Sequence, residues 1–375
     1  MPTVGVNAST GYTSNNTVQK FFSGDERTGK GAGNTVFRAG LELNWTAFDG
    51  YRMFAAKERL GLLEQRSQVF TANAMQDLTT QIQTVYFSIV RVAQQIEIQE
   101  QAILLNIALR DLAANKVKIG TGTSLEVLQT TNRVNADSSA LLNLFDQLQQ
   151  AKISLNRLLV QDANTIFEVP TEMPAVILPK LEALTQMALN QNFDVKLLQF
   201  DEQIALTQIK EERAALYPVV AVNTGFNYNF SRAEVGFLLS NRSFGPTIGL
   251  NLTYNLFPGR DVRKDIANAE IFKENIRLSQ QNLTANLTSD IALLYQQYLA
   301  LQNQLDLEQR NLQTASTNTT LAQQLYQSGR ATNFDVREAI LAETQIRDRI
   351  SDVQFRQKLV EINILGLAGV PLLGN

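Results

Sequence analysis

The 375-residue chain contains no cysteine and no histidine. Disulfide frameworks, thiol nucleophiles, zinc fingers and histidine-dependent triads or metal sites are therefore excluded. Charged residues make up only 18% of the sequence and the formal net charge is −3, so the composition gives no general electrostatic argument for nucleic-acid binding, which needs a basic face. We accordingly expect no metal, no cofactor and no nucleic-acid partner.

Proline and long apolar runs are also scarce. With 8 prolines in the chain, long uninterrupted elements are expected. No run of about 18 apolar residues occurs, so the sequence predicts no transmembrane helix. No export signal is visible, because Met1 and Pro2 lead directly into a strand-like segment.

An internal duplication organises the chain. A shift of 209 residues superposes three separate landmarks without an insertion, which indicates two copies of one unit. The matching segments are 40–50 with 249–259, 120–127 with 329–336, and 153–158 with 362–367. The start of each unit matches at a shift of 216 instead, and the difference falls in the loops predicted at 13–33 and 231–243.

The duplication predicts two structural repeats around a mid-chain equatorial segment at 161–192. The first repeat is 1–160, with strands at about 2–12 and 35–48, a long helix at about 51–118 and a return helix at about 123–160. The second is 193–375, with a helix at about 193–216, strands at about 218–230 and 245–257, a long helix at about 260–327 and a return helix at about 332–369. The counterpart of the helix at 193–216 would precede Met1, so we expect a fragment that lacks its first helix and any export signal.

The predicted strands alternate cleanly between apolar and polar side chains, as in 219–230 and 37–46. Two interpretations of such a strand stay open: a half-buried sheet on a soluble core, or a membrane-spanning strand with lipid on one face and water on the other. Ten residues rise roughly 34 Å and span about 26 Å when tilted by about 40°, close to the apolar band of an outer membrane.

Four strands cannot close a barrel, and an open sheet edge in lipid is prohibitively costly. If the strands cross a membrane, several chains must share one barrel. Two chains would give eight strands with a filled interior, whereas three would give twelve strands with room for a lumen.

The long helices are unusual for a globular domain. Between Tyr51 and Lys118 there is no proline and one glycine, and apolar residues from Met75 to Ile96 follow a heptad pattern. About 68 helical residues measure roughly 100 Å, a length that suits a coiled coil or a helical tube. The return helices are shorter, so the lengths allow a short helix to stack end-on with one of them.

This duplicated order of strand, strand, long helix, turn and helix resembles the TolC-like outer-membrane efflux proteins. The resemblance covers essentially the whole chain and rests on the strand-to-helix corners at 45–50 and 254–260, both helix-tip turns, and the mid-chain segment 181–192. It implies an α+β membrane protein in the outer membrane of a Gram-negative bacterium, extending into the periplasm. It further implies a homotrimer with a twelve-stranded barrel and a long α-helical barrel, working with a periplasmic adaptor and an inner-membrane transporter, without enzymatic activity.

The resemblance also implies an acidic aperture at the helix tips. Asp335 and Glu338 fall on the two acidic positions that ring the family's periplasmic constriction. Three residues apart, they share a helix face, so a trimer would bring six carboxylates to one opening. Close like charges raise pKa values and attract cations.

A polar latch at the tips is a second implication. Glu126 and Tyr326 fall on positions of the latch that holds the family's tips closed. The latch arginine is replaced by Ala331, with Arg330 next to it, and we expect Arg330 to take part.

The residues themselves allow a plainer interpretation of the tips. Thr123 with Glu126, and Thr332 with Asp335, have the spacing of helix N-terminal caps, so capping alone and capping combined with gating both stay open. The glycines of the turns, Gly120 and Gly329, are expected to be turn formers. The grooves beside them are the candidate adaptor-docking surface.

The strand ends carry Trp45 and Tyr254. They are candidates for an aromatic belt at the membrane interface, and packing against the first helical turn is the alternative.

A passive export duct of an efflux or type I secretion system, gated at its periplasmic tip, is thus the leading hypothesis. A periplasmic coiled-coil hairpin adaptor or a scaffold protein is the alternative, although neither needs four alternating strands. An enzyme is the least favoured class, because no motif assembles a nucleophile, a base and an oxyanion site.

Overall fold

The computed structural model describes residues 2–236 and 238–370. The elements are β1 (Thr3–Lys20), β2 (Glu26–Phe48), α1 (Arg52–Lys118), α2 (Ser124–Leu158), α3 (Leu181–Gln191), α4 (Phe193–Ala214), β3 (Val219–Ala233), β4 (Ser240–Thr253), α5 (Asp261–Gln327) and α6 (Asn333–Leu367). The chain is therefore an α+β protein, as predicted. Across the described residues, none of the helices combines the length and hydropathy needed to cross a membrane.

The chain forms two compact units. One consists of Met1–Gln65 and Phe200–Arg277, and the other of Arg66–Gln199 and Leu278–Asn375. Each unit contains residues from both predicted repeats. The division into two repeats and a mid-chain segment stays a prediction, and its outer bounds at residues 1 and 375 lie outside the described residues.

The first unit contains one antiparallel sheet in the order β1-β2-β3-β4. Its register aligns side chains of one kind across all four strands. One such row contains Val6, Leu41, Phe226 and Pro246, and the neighbouring row on the other face contains Asn7, Gly40, Asn227 and Gly245. Because side chains alternate along a strand, the sheet has one apolar face and one polar face.

The two strands predicted in the first repeat are shorter than the strands that the structure shows. Residues 13–33, predicted as a loop, continue both strands as a two-stranded ribbon that turns between Phe21 and Asp25, where the Phe21 N–H donates to the Asp25 carbonyl at 2.9 Å. The ribbon is polar on both faces, so hydrophobic alternation gives no sign of it, whereas backbone pairing needs no apolar face. In the second repeat β4 starts at Ser240, earlier than predicted, and ends at Thr253, before the predicted bound.

Glycines at the corners turn the chain from sheet to helix. Gly50 and Gly259 occupy equivalent positions in the duplication and have φ angles of +71° and +66°. A Cβ atom at Gly50 would lie 2.5 Å from the Ala214 carbonyl oxygen, so the first corner has no room for a side chain. The Asp49 carboxylate then accepts a hydrogen bond from the Met53 N–H at 3.0 Å, which caps α1.

The second unit has its main apolar core between α3, α5 and α6. Ile291 and Ile364 are fully buried in it, and the other buried members are Leu184, Ala188, Leu287, Tyr298, Leu301, Val353 and Val360. The α5 members are spaced by four, seven and three residues, so one stripe of this helix faces the core.

Two helix ends meet at Asn192. Its Oδ1 atom accepts hydrogen bonds from the N–H groups of Asp194 and Val195 at 2.9 and 3.1 Å, and its Nδ2 atom donates to the Leu367 carbonyl at 3.0 Å. One side chain thus provides hydrogen-bond partners for free N–H groups at the start of α4 and for a free carbonyl group at the end of α6. The end of a return helix meets the start of a short helix, an arrangement that the helix lengths allow.

Candidate functional site

Both helix-tip turns have the same backbone geometry. Gly120 and Gly329 adopt φ angles of +80° and +75°, and the next residue in each turn donates its N–H to the carbonyl five residues earlier, at 2.9 Å in the first turn and 2.8 Å in the second. This is the glycine-terminated helix end in which a left-handed residue reverses the chain. The duplication therefore extends to the hydrogen bonds of the tips.

The helices after the turns begin with threonine caps. The Thr123 and Thr332 hydroxyl oxygens each accept a hydrogen bond from the backbone N–H three residues later, at 3.3 Å. In the second turn the Asp335 carboxylate also accepts from the Thr332 backbone N–H at 2.7 Å and from its hydroxyl at 2.6 Å. These hydrogen bonds hold the pKa of Asp335 below its usual range, so the carboxylate stays ionised while it closes the cap.

Glu126 makes a different contact. Its Oε2 atom accepts a hydrogen bond from the Tyr326 hydroxyl at 3.4 Å, which joins the start of α2 to the end of α5. Tyr326 is only 2% exposed. Burial, and then the negative charge and hydrogen bond of Glu126, raise the pKa of Tyr326 to about 12. The structure thus brings together two of the predicted latch residues.

The cation beside this pair is Lys116, which the sequence did not identify. Its Nζ atom lies 3.7 Å from the centroid of the Tyr326 ring and donates a hydrogen bond to the Tyr326 carbonyl oxygen. An ammonium group on an aromatic face and at a helix C-terminus is favourable on both counts. The predicted cation, Arg330, is exposed, and its side chain makes no hydrogen bond or ion pair with the described residues.

Asn333 is a second contact that the sequence did not identify. This first residue of α6 is 3% exposed, and its Nδ2 atom donates to the Glu126 carbonyl oxygen at 3.4 Å. The first turns of α2 and α6 are thereby joined. The available sequence signal was its position, directly after the cap residue Thr332.

Apolar packing fixes the position of the Tyr326 ring. The ring lies in a cluster from α1, α5 and α6 that includes the fully buried Val336, and the other buried members are Leu109, Ala322, Ala339 and Ile340. The Thr319 hydroxyl also donates to the Ala339 carbonyl at 3.2 Å. Because α6 is held on this side, the opposite side of its first turns is exposed.

The predicted aperture residues lie on that exposed side. Asp335 and Glu338 are both exposed, in contrast to the buried Val336, Ala339 and Ile340. Asp335 is engaged in the cap, whereas Glu338 forms no hydrogen bond or ion pair with any other described residue. The Glu338 side chain is therefore freer to orient its carboxylate than the Asp335 side chain is.

The predicted interface aromatics lie at the helix end of the sheet. Trp45 pairs with Val222 near the end of β2 and is half-exposed. Tyr254 is half-exposed and follows the last residue of β4. Neither side chain is buried, so both remain available to an interface.

The chemistry of the tips is hydrogen bonding and charge. With its pKa at about 12, the Tyr326 hydroxyl is protonated at neutral pH and acts as a donor. In the part of the chain that the structure describes, no three acidic side chains are grouped closely enough to hold a metal ion. The arrangement can fasten helices together and present negative charge.

The sequence matches the family described as "Outer membrane efflux protein" over residues 1–160 and 184–370. The chain therefore belongs to this family, and the resemblance inferred from its motifs is confirmed. It is an efflux protein of the outer membrane, which sets the adaptor and scaffold alternatives aside. None of the curated proteins matches the chain significantly in sequence.

Solved structures with the same fold include three outer-membrane proteins from different bacteria. VceC of Vibrio cholerae is 18% identical, with 98% of this chain and 87% of VceC covered at a TM-score of 0.76. The CmeC outer-membrane channel of Campylobacter jejuni is 16% identical, with 99% and 78% covered at a TM-score of 0.78. The MtrE channel of Neisseria gonorrhoeae, solved in an open state, is 15% identical, with 99% and 81% covered at a TM-score of 0.72. At these identities the likeness establishes the fold.

Proposed function

We propose that three copies of this chain form a passive export duct, with a twelve-stranded β-barrel in the outer membrane and a tunnel of α-helices that extends into the periplasm. The duct performs no chemical reaction. It works with a periplasmic adaptor and an inner-membrane transporter, in efflux or type I secretion. Closure is at the helix tips.

The observation that carries this proposal is the open four-stranded sheet. β1 and β4 are its edges, and apolar side chains of β4 such as Ile248 and Leu250 are 85% and 74% exposed. Unpaired backbone groups are too costly in lipid, so a membrane-spanning sheet must close on itself. Three copies give twelve strands, enough for a lumen, whereas two would give a barrel filled by side chains.

The polar face of the sheet supplies the lining of this lumen. The Asn7 amide donates to the Glu42 carboxylate at 2.7 Å, and the Asn227 amide donates to the Thr247 hydroxyl at 3.2 Å. Further amide side chains lie on the same face, among them Asn44. The lining therefore suits a wet passage, with selection of the cargo left to the partner proteins.

The helix tips supply the gate. Glu126, Tyr326 and Lys116 fasten α1, α2 and α5 together, and Arg330 remains exposed for contact with another subunit or an adaptor. Asp335 and Glu338 of three subunits would form a ring of six carboxylates around the aperture. The turn residues Gly120, Thr123, Gly329 and Thr332 shape the surface on which the adaptor docks.

The subunit number tests this proposal. The intact protein, solubilised in detergent and cross-linked, should give a ladder that stops at three subunits. A ladder that ends at two or four would contradict the barrel, because neither gives twelve strands. Trp45 and Tyr254 should then lie at the periplasmic boundary of the lipid, where aromatic side chains are favoured.

A further inference from the structure

Two arginines occupy the hairpin end of the apolar face of the sheet. In the row nearer the helices, Thr10, Phe37, Phe230 and Arg242 are neighbours, and in the next row Tyr12, Thr35, Arg232 and Ser240 are neighbours. Arg242 pairs with Phe230, two residues before Arg232, so the two arginines are diagonal neighbours on one face. Such neighbours are typically about 7–8 Å apart, within joint reach of one small anion.

Their height matches the outer boundary of a membrane. From Val220 to Phe230 the strand rises about 34 Å, or about 26 Å across a bilayer at a tilt of about 40°. An outer-membrane apolar band is about 25 Å tall, so Arg242 lies at its edge and Arg232 one row beyond. The helices leave the opposite end of the sheet, so this edge faces the cell exterior.

Neither arginine forms an ion pair with the acidic residues nearest to it. Where all four strands pair, the one acidic residue, Glu42, lies on the polar face. Glu234, two residues after Arg232, has its carboxylate engaged with the Gly33 N–H at 2.8 Å. Arg232 and Arg242 are exposed and form no hydrogen bond or ion pair with the other described residues.

We propose that Arg232 and Arg242 bind a phosphate group on the headgroup of an outer-leaflet lipid. Arginine presents paired N–H donors that fit phosphate oxygens, and the hydroxyl groups in the outer row add further donors. The aromatic side chains below, including the edge-to-face pair of Phe37 and Tyr228 with ring centroids 6.2 Å apart, would pack against the acyl chains. The site rests on the proposed function, because it requires this face to meet lipid.

The arginine pair occurs in the second repeat and has no counterpart in the first, so each chain has one such site. The first-repeat residues at the corresponding shifts of 216 and 209 are Asn16 and Gly33, which carry no charge. A three-subunit channel should therefore hold three phosphorylated lipids, one per subunit. Three defined lipids would distinguish this site from a diffuse annulus.

Native mass spectrometry of the intact protein with diphosphoryl lipid A in detergent tests the proposal. We expect up to three bound lipids per complex, and about fivefold weaker binding for each arginine removed, hence about 25-fold in Arg232→Gln/Arg242→Gln. Arg38→Gln is the matched control, because Arg38 pairs with Asn229 at nearly the same height but on the polar face. Its lipid binding should be unchanged.

Three results would overturn the site: equal binding by the double variant, equal loss in Arg38→Gln, or equal binding of lipid A without phosphates. Displacement of the lipid by millimolar inorganic phosphate would assign the arginines to free anions and overturn the lipid site as well. The spectra also report subunit number. A three-subunit complex without bound lipid contradicts the site alone, whereas absence of that complex contradicts the proposed function and the site with it.

Discussion

The Nζ atom of Lys116 lies 3.7 Å from the centroid of the Tyr326 ring and also binds the Tyr326 carbonyl oxygen. The ammonium group thereby fastens the last turn of α1 to the last turn of α5. The family resemblance places the cation of the latch just after the second tip turn, at the position of Ala331 in this chain. In this chain the cation that contacts Tyr326 is Lys116, which lies at the end of α1.

Lys116→Met should loosen the closed tip. The substitution keeps an unbranched apolar chain but removes the cation on the ring and at the helix end, each worth about 0.5–1 kcal/mol. The ratio of open to closed channels should rise about 5- to 30-fold, measured as single-channel open probability in planar bilayers. Lys118→Met is the control and should raise it less, since Lys118 is exposed in the same last turn of α1 and only Lys116 lies on the Tyr326 ring. The reverse ranking of the two variants would contradict the assignment of Lys116.

The ionisation of Tyr326 should depend on Glu126. Burial and the nearby carboxylate raise the pKa of Tyr326 to about 12, whereas the usual value for tyrosine is 10. The protonated hydroxyl therefore stabilises the folded tip fully below pH 10, and this stabilisation is lost as the pH rises from 10 towards 12. An absorbance titration should show one late tyrosine that is absent in Tyr326→Phe. Glu126→Gln should move that tyrosine to lower pH, because the negative charge is removed. An identical titration of Glu126→Gln and wild type would show that the contact is not formed.

Substitutions of Asp335 and Glu338 should have different effects, because Asp335 also caps α6 whereas Glu338 contributes only its charge. Glu338→Gln removes an exposed charge, so block of the channel by multivalent cations from the tip side should weaken without loss of stability. Asp335→Asn should weaken the block and also cost about 1 kcal/mol, because it disrupts the helix cap. Single-channel recording and thermal unfolding together check both. Unchanged block in the Asp335→Ala/Glu338→Ala double variant would remove both residues from the aperture.

Gly329 should be required for its backbone conformation. Its φ of +75° is costly for other residues, so Gly329→Ala should destabilise the tip by about 1 kcal/mol, although open space surrounds the position. Gly61→Ala is the matched control: Gly61 lies within α1, also in open space, and alanine there should stabilise by about 1 kcal/mol. The two variants should shift the thermal unfolding midpoint in opposite directions. Equal shifts would refute the conformational argument.

The sequence predicts the parts of this protein that depend on local pattern. The tip turns follow from glycine at equivalent positions of the duplication, and the caps follow from threonine three residues before an acid. The family itself follows from the order of these elements. Such features need no knowledge of which helices lie side by side.

The parts that the sequence misses depend on contacts distant in the chain. The hydrogen bond of Lys116 to Tyr326 joins residues 210 positions apart, and its repeat counterpart is Leu325, so the duplication points away from it. The β1–β2 ribbon was missed for another reason. Its residues are polar on both faces, and only backbone pairing reveals it as strand.

Disulfide trapping across the sheet edges tests the central claim, closure of the barrel by three chains, most directly. Because the chain has no cysteine, Val6→Cys in β1 can be combined with a single cysteine in β4, scanned through Phe244, Ile248 and Leu250, and oxidised in intact outer membranes. At one β4 position the account predicts covalent species of one, two and three subunits and nothing larger. Closure at two or four subunits, or no cross-link at any position, would contradict it.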